Sequence, residues 1–290
     1  METLKKMNTL LVKSAFSLGI AFLLLATSCQ QNAEEPSNFD ESSVESNAIA
    51  EADFNEVDDI TENMMGYADG SIGGKTAGNE EDGRLSCATV THDEEAQTIT
   101  IDFGDGCTGP HGVTRSGIIF ITYTGSKYVP GSKWTVTFVN FYIDGRHIEG
   151  IRTVENVSET LDDNPKFHIT LSEGKITWPD ETFATREVDR YRVWVRAANP
   201  INDEWHVLER SVANGLTRRG VSYTSTVLAD LIFKRSCRPS NKARIPVAGI
   251  KEVVLGDQTY IVDFGDGECD SIVIITTRGV TREIDLSNRR

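Results

Sequence analysis

The sequence is poor in the features that announce a chemistry. It contains no Gly-x-Ser-x-Gly, no His-Glu-x-x-His and no Gly-x-x-x-x-Gly-Lys, so the common signatures of serine hydrolases, zinc proteases and phosphate-cradling loops are missing. Histidine occurs five times, at 92, 111, 147, 168 and 206, each on a different expected element, where a lone strand histidine is ordinarily a surface residue and not a base. There is no Cys-x-x-Cys and no Cys/His cluster, which removes the usual structural zinc site. Basic residues are scarce early: residues 29–110 carry 20 acidic and 2 basic side chains, against 23 and 24 in residues 111–290. Phosphate recognition needs clustered Lys and Arg, so neither nucleic acid nor an anionic lipid surface is an expected partner. No apolar run beyond residue 25 is long enough to span a bilayer. The expectation is a non-enzymatic protein without a cofactor.

What is present begins with an address. Lys5, Lys6 and Lys13 form a basic region, Leu18 to Leu25 an apolar stretch too short to cross a membrane, and Ala26-Thr27-Ser28-Cys29 a run of small residues ending in cysteine. This order resembles the lipobox of bacterial lipoproteins, which implies cleavage before Cys29 and acylation of its thiol. Each buried CH₂ of an acyl chain contributes about 0.8 kcal/mol, so several chains hold a protein on a bilayer without a transmembrane helix. The following Gln31-Asn32-Ala33-Glu34-Glu35 is similar to the acidic segment that directs many lipoproteins of Bacteroidota-type bacteria to the outer face of the outer membrane. A periplasm-facing position is the alternative.

The organisation expected from composition is a signal peptide over 1–28, an acidic disordered tether over 29–47, an amphipathic helix over 48–66, a flexible linker over 67–84 and a β domain over 85–290. In the helix Ile49, Phe54, Val57, Ile60 and Met64 recur at helical spacing, leaving an acidic outer face. Its expected role is to pack its stripe on the β domain, the alternative being a helix that plugs a groove or binds a partner. The β domain reads as an antiparallel meander forming a curved sheet, half-barrel or sandwich. Trp134 to Tyr142 and His147 to Val157 flank a tight Asp144-Gly145 hairpin; Ser172-Glu173-Gly174-Lys175 reads as a turn; Trp205 to Val212 and Val221 to Phe233 read as strands. Arg190, Arg192, Trp194 and Arg196 alternate with Tyr191, Val193 and Val195, implying a sheet with one wet and one dry face. Trp134, Trp178, Trp194 and Trp205 are expected to cover core or rim surface, with sugar stacking as the other possibility.

One motif is duplicated, over 99–125 and 260–279. Asp102-Phe103-Gly104-Asp105-Gly106-Cys107 returns as Asp263-Phe264-Gly265-Asp266-Gly267-Glu268-Cys269, each followed by an apolar strand. Glycine tolerates positive φ and Asp bonds nearby amides, so the string suits a turn or bulge at a strand end. The connection is longer in the first copy, and that insertion, Thr108 to Ser116, holds His111 and Arg115. A calcium site built from Asp263, Asp266, Glu268 and Asp270 is the competing reading, although the spacing does not fit an EF-hand and the first copy lacks the last two carboxylates. With Cys29 acylated, four cysteines remain, and each repeat owns one upstream and one after the motif. The expected disulfides are Cys87 with Cys107 and Cys237 with Cys269.

With the Gly117-Ile118-Ile119 strand and the Ile148-Glu149-Gly150 segment, the duplicated motif resembles a family of Bacteroidota-type surface or outer-membrane lipoproteins. That resemblance covers most of 85–286 and implies compartment and architecture, but no activity. Two functional expectations follow: a β scaffold presenting loops to a glycan or protein partner, or a carrier in which a half-barrel like that of LolA-type proteins encloses lipid beneath the helix. Glu149, Glu155 and Glu159 supply carboxylates, but sequence places none of them in a catalytic pair. Oligomeric state is left open.

Overall fold

The computed structural model describes residues 41–68, 83–109, 112–237 and 245–286. It is mostly antiparallel β-sheet with one helix near the N-terminus, and the sheet is curved without closing into a clean barrel. Helix α1 is Glu41–Ala68. The strands follow as β1 Thr89–Asp93, β2 Thr98–Asp102, β3 Cys107–Thr108, β4 Thr114–Tyr123, β5 Lys133–Ile143, β6 Arg146–Asn156, β7 Lys166–Thr177 and β8 Phe183–Val195. After them come β9 Glu204–Val207, β10 Val212–Leu216, β11 Ser222–Lys234, β12 Ala248–Leu255, β13 Gln258–Asp266, β14 Ile272–Thr277 and β15 Val280–Asp285. Apart from β3, which pairs only with β4, neighbours in the sheet follow chain order throughout. The pairs are antiparallel, as short connections require. β9 and β10 both pair with β8 and β11, so they occupy one slot in the sheet, interrupted at residues 208–211, where Arg210 takes a positive φ of 67°. The single strand expected from Trp205 to Val212 is therefore two.

Local chemistry explains most of the strand boundaries. Asp144 and Gly145 sit at φ 46° and 78°, the two left-handed positions that a two-residue hairpin between twisted strands needs. At Ser172-Glu173-Gly174 the expected turn is instead a bulge within an unbroken β7: pairing with β8 skips from Leu171 to Gly174, and Glu173 turns to φ 56°. The glycine is required there because a Cβ on Gly174 would lie 2.2 Å from the Arg186 carbonyl oxygen. A Gly flanked by polar residues has the composition of a turn, and only the close approach of β8 distinguishes the two.

One face of the sheet is lined by Ile99, Ile101, Ile119, Ile121, Trp134, Val136, Phe141, Ile148, Phe167, Ile169 and Leu171, and the apolar side of α1 packs into it. Phe54, Val57, Ile60, Met64 and Met65 are buried there. The helix is longer than the sequence implies, taking in residues 41–47, which composition assigns to the tether. Ser43, Ser46 and Asn47 are buried, with Ser43 Oγ against Thr217 Oγ1 and Asn47 accepting from Arg186, so these polar residues are held by tertiary contacts that no local pattern reveals. Among the described residues no helix is long and apolar enough to cross a membrane. Cys29 and the expected leader lie outside the described residues.

Candidate functional site: an acidic helix in a basic trough

With about 100° of rotation per residue, α1 has three zones. Ala50, Phe54, Val57, Thr61 and Met64 form the apolar centre; Glu51, Asp58 and Glu62 flank it on one side, and Asp53 and Glu56 on the other. Among the described side chains of the helix only the narrow back, at Ala48 and Ala52, is exposed. The acidic residues are thus not an outer face: both flanks are turned onto the sheet.

Each flank meets basic side chains. On the first, Asp58 is shared by Arg152 of β6 and Arg190 of β8, both within ion-pair contact. Glu62 accepts from Arg192 Nη2 at 2.6 Å and from Trp205 Nε1 at 3.3 Å, and Lys127 Nζ donates to the Glu62 carbonyl at 3.3 Å. Glu51 accepts from Lys251 of β12 at 3.0 Å and lies 3.7 Å from Arg186. On the second flank, Arg146 grips Asp53 with two bonds, Nε at 2.7 Å and Nη2 at 2.9 Å, while Glu56 pairs with Arg115 of β4. Arg84, just before β1, lies 3.7 Å from Glu56 and donates to Asp59 at 3.0 Å. The alternation in β8 was legible, but its polarity is inverted: Arg190, Arg192 and Trp194 face the helix, and Tyr191 is exposed.

Removing charges from water is costly, and these groups offset that cost by pairing. Burial pushes the Glu51 carboxyl up, yet Lys251 and Arg186 beside it hold it down at about 2. Glu62 is likewise lowered, burial being outweighed by Arg192 and Lys127. Asp53 goes the other way: burial dominates and raises it despite Arg146. Burial also lowers Arg152, reinforced by Arg190 and Arg192 and opposed by Asp58. Two arginines, Arg152 and Arg190, on one buried carboxylate make Asp58 the electrostatic centre of the trough. Breaking such a pair is expensive even where forming it adds little net stability, so the ladder fixes how α1 sits more than how strongly the chain folds.

The other predicted residues fall into place separately. Cys87–Cys107 and Cys237–Cys269 are both disulfides, one per repeat. In each motif the Asp carboxylate accepts from the amide two residues on, Asp102 from Gly104 N–H at 2.8 Å and Asp263 from Gly265 N–H at 2.9 Å, while Gly104 and Gly265 take φ 60° and 88°. Asp270 Oδ1 accepts from the Ile272 amide, and Asp266 and Glu268 join no group of three metal-ligating side chains among the described residues. His111 lies outside the described residues, and Arg115 is committed to Glu56. Trp134 and Trp178 are buried, and Trp194 stacks on Trp205 with centroids 6.1 Å apart. Glu149 pairs with Lys175 and Glu155 with Lys133, both on the outer face of the sheet, while Glu159 is exposed. That outer face also carries two aromatic–histidine stacks, Tyr142 with His147 at 4.7 Å and His168 with Tyr191 at 4.6 Å, and exposed Phe183 with Lys175 over its ring. Among family models, curated proteins and solved structures, none matches the chain.

Proposed function

We propose that this is a membrane-anchored, non-enzymatic lipoprotein of the outer membrane whose β scaffold binds a glycan or protein at the cell surface. The observation that carries the reading is the occupied trough. The apolar face is covered by the chain's own helix, so a partner is met on the outer face and the loops. There Tyr142, Tyr191 and Phe183 offer aromatic surface beside His147, His168, Lys166 and Lys175, a combination suited to sugar stacking or to a protein interface. The lipid-carrier alternative is less well supported, because an apolar ligand would have to displace residues such as Val57, Ile60 and Met65 and leave the arginines unpaired.

The anchor and the binding face are tested separately. Metabolic labelling with a palmitate analogue should mark the wild type and not Cys29→Ala; a labelled variant sinks the anchor. Protease shaving of intact cells then distinguishes surface from periplasm. For the face, glycan arrays and pull-downs from surface extracts should give ligands lost in the Phe183→Ala/Tyr191→Ala chain, whereas native lipid co-purifying in stoichiometric amount would favour the carrier.

A further inference from the structure

Phe183 and Tyr191 are the exposed aromatic residues of β8, at 46% and 39% exposure, and they stand on the same outer face at the two ends of an eight-residue step. At about 3.3 Å per strand residue the step is about 26 Å long. Their surroundings match. Each ring has a lysine of β7 over it, Lys175 Nζ 5.5 Å from the Phe183 centroid and Lys166 Nζ 5.3 Å from that of Tyr191. Each end also has a histidine beside a carboxylate: His147 lies 3.6 Å from Glu149, which reaches Lys175 at 3.3 Å, and His168 lies 2.8 Å from Asp189. Between the ends the cross-strand pair Thr153 and Thr170, with Ser172 and Thr185, gives the outer face a floor of hydroxyls. Charge on this strip is balanced locally. Glu149 and Glu155 pair with Lys175 and Lys133, Asp189 with His168, and Glu187 accepts from the Glu173 N–H at 2.9 Å. A polyanion would meet these carboxylates and a polycation the lysines, so the strip complements an uncharged chain.

We infer, resting on the outer-face reading above, that the strip along β8 is a two-ended site for an uncharged, extended glycan, a chain long enough to touch Phe183 and Tyr191 together. At each end the ring offers apolar surface to the C–H face of a sugar, while the neighbouring lysine and carboxylate bond its hydroxyls. A β-linked, ribbon-like chain follows a straight strand, whereas an α-linked chain that coils leaves the strip between one end and the other. Contacts at the two ends of one chain reinforce each other, because the second forms intramolecularly once the first is made.

Titration calorimetry of the purified full chain with cello-, manno- and xylo-oligosaccharides, each graded from disaccharide to hexasaccharide, is the test. In at least one series affinity should rise about tenfold or more at the length that first spans both rings, and that hexasaccharide should bind more tightly than maltohexaose or hexagalacturonate. Phe183→Ala and Tyr191→Ala should each bring the hexasaccharide down to the level of the disaccharide, with circular dichroism unchanged because both side chains are exposed. Sugar binding with equal affinity at every length overturns the two-ended site and leaves a glycan-binding face standing. Preference for hexagalacturonate overturns the uncharged class, and preference for maltohexaose the extended one. No binding to any of these sugars overturns the inference outright, and a protein captured by the same chain and lost in Phe183→Ala/Tyr191→Ala would then leave the outer face as a protein interface. The length series on the wild type decides by itself should a variant not fold.

Discussion

The hairpin of β2 and β4 and the hairpin of β13 and β14 share a motif, an Asp-to-amide turn and a disulfide, and differ in what lies beneath them. In the first, Ile99, Ile101, Ile119 and Ile121 are fully buried and belong to the core that receives α1. In the second, Tyr260, Phe264, Val273 and Ile275 are buried but lie outside that core cluster, beside β15, which is exposed along nearly its whole length. A duplicated sequence thus specifies a local device, a turn and a staple, while position relative to the helix specifies packing. Gly117 shows the same divergence: a Cβ there would lie 1.9 Å from the Asn140 carbonyl oxygen of β5, and the corresponding residue of the second copy is Ser271.

The largest contrast should come from core truncation. Ile101→Ala should cost about 2–5 kcal/mol, toward the upper end because the helix and sheet around it have little room to collapse, whereas Ile275→Ala should fall near the lower end. Equal losses in urea unfolding would show that the second hairpin is as deeply built as the first. Next come the disulfides. Their sequence separations are 20 and 32, so replacing each pair by alanine should cost about 3 and about 4 kcal/mol if loop closure governs; a larger loss for the Cys87–Cys107 pair would assign the difference to native packing. Turn removal is the matched control: Asp102→Ala and Asp263→Ala should each cost about 1 kcal/mol, alike in thermal scans, since the two bonds are equivalent. The smallest effect is on pH. Glu51, which joins α1 to β12, titrates at about 2 when folded against an ordinary 4.5, so the unfolded chain takes up its proton first and stability falls with pH through that window. Glu51→Gln should remove about 1 kcal/mol of the stability difference between pH 7 and pH 4. Asp53, raised by burial, contributes with the opposite sign.

Much of this architecture was legible from short-range pattern. Asp144-Gly145 announced its hairpin, the repeat announced both disulfides, and the spacing of Phe54, Val57, Ile60 and Met64 announced a helix with a buried stripe. The trough was not legible, because its two halves are far apart in sequence: Arg152 and Asp58 are separated by 94 positions and Lys251 and Glu51 by 200. Seen alone, an acidic helix face and an arginine-bearing strand face both have the composition of solvated surface. The charge asymmetry between the two parts of the chain reflects this pairing, but by composition alone it matches a tether beside a neutral domain equally well.

That separation also orders events in time. Glu51 is synthesised long before Lys251, so α1 spends most of the chain's emergence without the strand its flank will meet. Long-range contacts of this kind slow folding, because loop closure precedes the contacts that stabilise it. Until β4, β6 and β8 are in place the helix is a negatively charged segment of marginal intrinsic stability, and its Glu51 end waits longest for a partner, until β12 has formed.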